Sequence, residues 1–326
     1  MYAAFRLAFV LALVCAAPLH AQDPAADFPS RPLRQIVPFP PGGGVDIVTR
    51  IVAAKWSEVL GQTIAVENRA GAGGNLGADI AAKAAPDGYT LFTASVASHG
   101  VSPAVYNSLP YDHIRDFAPL SLIGKTPNVL VINPSVPPRT LKEFVDYVKA
   151  SPGKYNYGSP GFGTSPQMTM ELFKLTAGID IVHVPYKGST GARNDILGGQ
   201  IQILFDSVPT MAPQIKAGMV RALGTSGKVR SPILPDVPTM AEAGVPGFNA
   251  TLWVGFMAPA GTPKPIVDKL HDEITKILRR PDIKQAWEKT GATPIVMTQP
   301  EFKSFMESQV AKWAEVIKTN RIAPIN

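Results

Sequence analysis

The segment 38–46, with the sequence PFPPGGGVD, restricts the possible folds of this chain more than any other stretch. Residues 33–37, just before it, predict a short strand. After it, apolar residues between Ile47 and Leu60 recur at three- and four-residue spacing, which is typical of an amphipathic helix. The sequence therefore predicts a strand, a glycine-rich turn and a helix in succession, which together form a βα loop.

Such a loop suits an anion, because the first N–H groups of a helix have no partner within it and carry the positive end of its dipole. A P-loop would need lysine and serine or threonine after the glycines, but Val45 and Asp46 follow Gly44. A dinucleotide fingerprint starting at Gly42 would need a small residue where Ile47 stands. With both phosphate motifs excluded, two interpretations of the loop remain. It either binds a small anion such as a carboxylate, or it is a glycine turn that binds nothing.

The first residues predict the compartment. Arg6 precedes an apolar run at 7–17, and a small residue, Ala21, fits a cleavage site, so 1–21 reads as a secretory signal peptide. The run is too short to span a membrane. The single cysteine, Cys15, lies inside it, so the mature chain would lack disulfides and cysteine metal sites. We expect a soluble periplasmic protein, a monomer, without metal or cofactor.

The net charge of the chain limits its possible binding partners, and its length limits its possible domain organisation. The net charge is +6, and charged residues make up 17% of the chain, below the average of about 25%. The basic residues are scattered and do not alternate with aromatic residues, which excludes nucleic acid as a partner. A mature chain of about 300 residues is long enough for two lobes with separate cores.

Strands alternating with helices predict an α/β fold with parallel sheets, whose ligands bind beyond the carboxyl ends of the strands. On this rule the loops at Gly42, Gly71 and Ser95 share one rim. Residues 120–124 predict a strand that crosses between lobes, and residues 128–132 predict the first strand of the second lobe.

A second glycine loop, residues 159–165, leads into a helix that begins near Pro166, a residue suited to the first helical turn. Farther from this loop, Thr140 and Glu143 predict a capping box. Two βα loops in two lobes predict jaws that close on one ligand. We expect lobe 1 to comprise 28–125 plus 250–326, and lobe 2 to comprise 126–249.

The order of these motifs resembles the Bug family, the extracytoplasmic solute receptors of tripartite tricarboxylate transporters. The match runs through residues 38–46, 66–69, 71–74, 86–90, 157–163, 185–188, 198–200, 236–239 and 258–263. One departure is Gln167, where many members of the family have histidine.

The resemblance implies a type II-like, two-lobed periplasmic binding protein fold, in which each lobe is a mixed, mostly parallel sheet flanked by helices. It implies no catalytic activity and a carboxylate ligand, held in the cleft between the lobes by loop backbone, hydroxyls and water. It also implies membrane permease subunits as partners.

From the loops and the resemblance together we predict a set of ligand-binding residues. They are Phe39, Gly42, Gly43, Gly44, Asp46, Ser95, Ser98, His99, Ser159, Gly161, Gly163, Thr164, Ser165, Tyr186 and Asp206.

Several of these residues have a second interpretation. Asp46 would repel an anion, so it can instead cap its own helix and pair with Arg50. His99 and Tyr186 fit the core equally well. Asp206 stands at the end of a strand, where it can either meet a ligand hydroxyl, amine or water, or cap the next helix.

Two other classes of function were compared with ligand capture. A secreted hydrolase is disfavoured because the chain has no Gly-x-Ser-x-Gly motif and no closely spaced histidine pair. A ligand-dependent sensor is compatible with the same fold, since a closed receptor can dock on a membrane protein.

Overall fold

The computed structural model describes residues 25–324, so the predicted signal peptide lies outside it. The strands are β1 (Leu33–Val37), β2 (Ile64–Asn68), β3 (Thr90–Ser95), β4 (Phe117–Ile132), β5 (Asn156–Ser159), β6 (Val182–Pro185), β7 (Ile203–Ser207), β8 (Arg221–Thr225), β9 (Thr251–Pro259) and β10 (Thr293–Pro294). The helices are α1 (Gly44–Leu60), α2 (Asn75–Ala82), α3 (Ser102–Val105), α4 (Leu141–Lys149), α5 (Ser165–Ala177), α6 (Ser189–Leu197), α7 (Val208–Lys216), α8 (Lys264–Arg279), α9 (Pro281–Glu288) and α10 (Gln299–Thr319). A 3₁₀ turn, Ala72–Gly74, precedes α2, and a π-helical turn, Ala97–Val101, follows β3.

Within the described residues the strands form one continuous mixed sheet in the order β2-β1-β3-β9-β4-β7-β5-β6, and β8 and β10 also pair with β4. The first half of the sheet contains the parallel strands β2, β1 and β3. The second half contains the parallel strands β7, β5 and β6. Strands β9 and β4 run antiparallel to their neighbours and join the two halves. The predicted parallel βα units are confirmed.

Strand β4 corrects the sequence analysis, which predicted two separate strands at 120–124 and 128–132. The structure has one strand of 16 residues. It pairs with β9 as far as Pro127 and with β7 from Asn128 onward. The first predicted strand ended at Gly124, where the structure requires glycine because a Cβ would lie 2.1 Å from the ring of Trp287. The predicted lobe boundaries stay a prediction, and this change of partner lies beside the first of them.

The core explains why the helices pack where they do. Of the predicted stripe of α1, Val48, Val52 and Trp56 are buried, whereas Val59 is exposed. Trp56 stacks on Phe256 of β9 with ring centroids 5.7 Å apart. The buried face of α1 is therefore fixed against the first half of the sheet. Its other end, the glycine turn, is held at the sheet's carboxyl edge.

Candidate functional site

A small cavity lies where the carboxyl ends of strands from both halves of the sheet meet. Its volume is about 50 Å³, enough for a few water-sized groups and therefore for a carboxylate. Its walls are formed by Phe39, Pro40, Gly43, Gly44, Val45, Ser95, Val96, Ala97, Pro160, Thr164, Ser165, Pro166, Gly188, Ser189, Asp206, Ser207 and Leu252. A wider pocket of about 430 Å³ adjoins it and shares Phe39, Pro40, Pro160, Thr164 and Gly188 with it.

Among the described helices, four begin at the wall of this cavity. The N-cap residues of α1, α5, α6 and α7 are Gly43, Thr164, Gly188 and Ser207, and all of them line it. In this part of the chain none of these N-caps makes a side-chain capping hydrogen bond. The N-terminal N–H groups and the positive dipole ends of four helices therefore converge on one small space, which suits an anion.

Glycine is required where the two halves approach each other beside the cavity. A Cβ on Gly44 would lie 2.6 Å from Ser207 Oγ, and one on Gly188 would lie 2.8 Å from Pro40 Cγ. Gly188 also has φ +118°, a conformation that side chains with a Cβ rarely adopt. These two contacts join α1 to α7 and the β1–α1 loop to the β6–α6 loop.

Asp206 is the carboxylate of the cavity wall. Its Oδ1 accepts hydrogen bonds from the Ser207 N–H (2.7 Å) and from Ser189 Oγ (3.2 Å). Within the described residues its Oδ2 has no hydrogen-bond partner. Burial raises the pKa of Asp206 to about 6, although these hydrogen bonds and the field of Arg193 act to lower it.

Two serines add hydroxyls to the wall. Ser95 is fully buried, and its Oγ has no partner among the residues that the structure describes. Ser165 Oγ accepts a hydrogen bond from Asn128 Nδ2 at 2.9 Å. Asn128 stands where β4 changes partner, so it ties the start of α5 to the strand that joins the two halves of the sheet.

The structure places a group of the predicted ligand-binding residues together. Those that line the cavity are Phe39, Gly43, Gly44, Ser95, Thr164, Ser165 and Asp206. Gly161 and Tyr186 line the wider adjoining pocket, where Tyr186 donates a hydrogen bond to Asp195 at 2.5 Å. Residues separated by more than 160 positions in sequence thus meet at one site.

Gly42 and Asp46 lie outside the cavity wall. Asp46 Oδ2 accepts a hydrogen bond from the Gly42 N–H at 2.9 Å, and Arg50 and Asn68 donate to the same carboxylate. Burial alone would raise the pKa of Asp46, but these hydrogen bonds together hold it below its usual value. The predicted pair with Arg50 is present, and Asp46 braces the glycine turn by occupying the Gly42 N–H. Helix capping by Asp46 is not seen, because the N-cap is Gly43.

Ser98 and His99 also lie outside the cavity wall. Ser98 Oγ accepts from the Ser95 N–H and bonds His99 Nδ1 at 3.0 Å. His99 packs among Phe92, Tyr111 and Phe117, and burial lowers its pKa to about 3. The geometry gives His99 a structural role as a neutral core residue that supports the loop after β3.

Ser159 and Gly163 are engaged within the second glycine loop. Ser159 Oγ bonds His183 Nε2 at 2.7 Å and accepts from the Gly161 N–H. The Gly163 N–H donates to Gln167 Oε1 at 2.9 Å. Gln167, which marked a departure from the family pattern, therefore holds this loop in place. Direct contact of Ser159 or Gly163 with a ligand has no support from this arrangement.

Gly188, Ser189 and Ser207 also line the cavity, although they are not among the predicted ligand-binding residues. Gly188 and Ser189 lie in the loop after β6 and at the start of α6, and Ser207 ends β7. The rule that ligands lie beyond the carboxyl ends of parallel strands would have found all three. They were missed because residues 187–189 carry a single glycine and lack the glycine repeats of the other two loops.

With this geometry established, comparison with known proteins identifies the family. A sequence model described as "TctC: Tripartite tricarboxylate transporter family receptor" matches residues 48–322. The chain belongs to this family and is a solute-binding receptor.

Among its relatives, BugT of Bordetella pertussis (strain Tohama I) is 37% identical over 313 residues, covering 96% of both chains. The resemblance to the Bug family is therefore confirmed.

Solved structures confirm the periplasmic binding protein fold. One described as a periplasmic transporter is 43% identical, with a TM-score of 0.87 over 91% of this chain and 99% of the other. R. palustris Rpa4515 with adipate is 34% identical, with a TM-score of 0.89 over 92% of this chain and 100% of the other. MatC from Rhodopseudomonas palustris with bound malate is 34% identical, with a TM-score of 0.83 over 89% and 100%.

Two features are absent from residues 25–324. No described helix has the length and apolar character needed to cross a bilayer. No cluster of three or more histidine, cysteine, aspartate or glutamate side chains in this range could hold a metal ion.

Proposed function

We propose that this protein captures a small organic carboxylate in the cavity between the two halves of the sheet and delivers it to a tripartite tricarboxylate transporter. The observation that carries the proposal is the convergence of four helix N-termini without side-chain caps on one cavity. Relatives solved with adipate and with malate support the same ligand class.

The geometry supports capture by closure of two jaws. Helix α1 brings backbone N–H groups from one side, and α5, α6 and α7 bring them from the other. A hydrogen bond to a charged group contributes about 1.5–3 kcal/mol. Several of them, made only when both jaws are in place, reach the roughly 8 kcal/mol of a micromolar complex after association costs.

We assign direct ligand contact to Gly43, Gly44, Ser95, Thr164 and Ser165, with Phe39 and Asp206 completing the wall. In the wider pocket, Gly161 and Tyr186 surround the part of the ligand that extends from the carboxylate. The residues of the cavity supply hydrogen-bond donors to the carboxylate, and those of the wider pocket determine which ligand shapes fit.

A thermal-shift panel tests the carboxylate class. Mono- and dicarboxylic acids of increasing length are compared at pH 7.5 with their uncharged amides, such as succinate with succinamide and adipate with adipamide. At least one acid is expected to raise the melting temperature by several degrees while its amide does not. Equal shifts by acids and amides, or no shift by any acid, would contradict the proposal.

The predicted signal peptide and membership of the receptor family support a location and a partner. We place the mature chain in the periplasm, where it docks on membrane permease subunits. Cell fractionation should recover the mature chain in the periplasmic extract, starting at or near residue 22. A full-length chain in the cytoplasmic fraction would contradict this placement.

A further inference from the structure

We propose that Asp206 selects carboxylates that carry a hydroxyl or ammonium group on the carbon next to the carboxylate, by accepting a hydrogen bond from that group. The inference rests on the proposed function, since it names the ligand chemistry of the same cavity. It concerns an oxygen atom that the rest of the wall leaves without a partner.

The first observation is the unequal use of the two oxygens of Asp206. The side chain is 1% exposed, and Oδ1 takes both hydrogen bonds, from the Ser207 N–H and from Ser189 Oγ. Among the described residues Oδ2 has none. A buried acceptor without a donor is destabilising, and more so when it is charged. A ligand that brings a donor to Oδ2 removes this destabilisation.

The second observation is the electrostatic setting of this carboxylate. Arg193 on α6 is the charged group within residues 25–324 whose field acts on Asp206, and it favours the ionised form. The opposite strand residue is the apolar Val129 of β4, and Asp46 on α1 is already held by Arg50. Above pH 6 Asp206 is therefore an anion that accepts hydrogen bonds and repels a second carboxylate placed against it.

The third observation is the size of the cavity. A volume of about 50 Å³ holds only a few heavy atoms, so the carboxylate and the donor must be close neighbours in the ligand. The helix N-termini attract the carboxylate, and Oδ2 attracts the donor. A 2-hydroxy or 2-amino acid meets both conditions within one small group.

Matched pairs of ligands test the inference on the unaltered protein. Calorimetric titration at pH 7.5 compares malate, aspartate and succinate, lactate with propionate, mandelate with phenylacetate, and 2-hydroxyadipate with adipate. In each set that binds, the acid with the donor is expected to bind about tenfold or more tightly than the parent without it. Malate against aspartate separates a hydroxyl preference from an ammonium preference.

Asp206→Asn reverses the polarity of the relevant atom at nearly constant size. The amide oxygen keeps the hydrogen bonds from Ser207 and Ser189, so the amide NH₂ replaces Oδ2 and becomes a donor. The 2-hydroxy acid should lose about tenfold or more in affinity, while its parent acid binds as well or more tightly. Asp146→Asn, at an exposed aspartate that pairs with Lys142 on α4, serves as the matched control with unchanged affinities.

The pH arm applies even if the variant does not fold. The preference of the natural protein for the donor-bearing acid should shrink when the pH falls from 7.5 to 5. A preference that stays constant or grows between pH 7.5 and pH 5 would overturn the inference, because Oδ2 would then not be the acceptor. Equal binding within every set that binds overturns it too and leaves the carboxylate proposal intact. Failure of every acid to bind overturns both.

Discussion

Two groups of helix N-termini in this protein differ in what satisfies their free N–H groups. Helices α4 and α10 begin with complete capping boxes, Thr140 with Glu143 and Thr298 with Glu301. The helices that begin at the cavity, α1, α5, α6 and α7, have no side-chain cap in the described structure. On α4 and α10 the chain supplies its own carboxylate, whereas at the cavity the same donors are left for a carboxylate from outside. Within residues 25–324, helices α2, α3, α8 and α9 also lack a side-chain cap, but their N-cap residues do not line the cavity.

This difference has an energetic consequence. A side-chain cap contributes about 1 kcal/mol to stability, so the cavity helices forgo that stabilisation when no ligand is bound. A ligand carboxylate supplies the missing acceptors to several helices at once. Ligand affinity and ligand-induced stabilisation are therefore two measures of the same hydrogen bonds.

The largest expected effect concerns the pH dependence of the free energy of unfolding. Asp206 at the cavity and Glu143 at a capped helix should contribute to it with opposite dependence on pH. The ordinary pKa of an aspartate is 3.8, and burial raises that of Asp206 to about 6. The folded chain thus binds this proton more tightly than the unfolded chain. Its contribution to ligand-free stability is full below pH 4 and falls by up to about 3 kcal/mol as the pH rises to 6.

Urea unfolding of the natural protein and of Asp206→Asn at pH 4, 5 and 6 measures this contribution. The stability of the natural protein relative to the variant should fall over this range. Glu143 on α4 behaves in the opposite sense, because the Arg139 N–H holds its pKa below the usual value. A constant difference between natural protein and variant would show that Asp206 is not buried as described.

The second prediction tests whether the cavity helices must approach closely. Gly44→Ala places a Cβ against Ser207 Oγ, which keeps α1 and α7 apart. Affinity for a bound acid should fall about 10- to 100-fold, the equivalent of about 1–3 kcal/mol of overpacking.

Gly43→Ala is the matched control, since its Cβ would lie 3.7 Å from Ser189 Oγ, an ordinary contact. Calorimetric titration should find a much smaller loss for Gly43→Ala than for Gly44→Ala. Equal losses for the two variants would mean that closure between α1 and α7 does not control binding.

The third prediction separates stability from binding at α4 and α10. Thr140→Ala and Thr298→Ala each remove a capping hydrogen bond, so each should lower the free energy of unfolding by about 1 kcal/mol. Ligand affinity should not change, because both caps lie outside the cavity wall. A change in affinity comparable to that of Gly44→Ala would erase the distinction between the two groups of N-termini.

The smallest expected effect is that of salt. Lysine and arginine are absent from the described residues that line the cavity, so binding depends on buried N–H groups that salt screens weakly. Raising sodium chloride from 50 to 500 mM should weaken binding by less than about threefold. A tenfold or larger loss would indicate that exposed cations hold the ligand.

The sequence predicted those parts of the fold that depend on local spacing. The βα loop before α1 and the capping box at Thr140 were both readable, because the residues that form them are neighbours in the chain. The continuity of β4 was not, since the glycine that seemed to end it makes room for Trp287, which lies far away in sequence. The sequence alone does not distinguish a glycine that forms a turn from one that makes room for an aromatic side chain.

The candidate site shows the same limit. Glycine loops identified Gly43 and Gly44, but the sequence did not reveal which N–H groups the chain already uses. The Gly163 N–H is taken by Gln167, and the Gly42 N–H is taken by Asp46. The rule for strand ends points to Ser189 and Ser207, and the packing of α6 and α7 shows that both line the cavity. Which donors remain for a ligand is a property of the three-dimensional arrangement.

A crystal structure with the acid that stabilises the protein most would test the central claim directly. We predict that the ligand carboxylate lies within hydrogen-bond distance of backbone N–H groups at the starts of α1 and at least one of α5, α6 and α7. A carboxylate bound by exposed lysine or arginine side chains, or lying away from all four helix starts, would contradict the account.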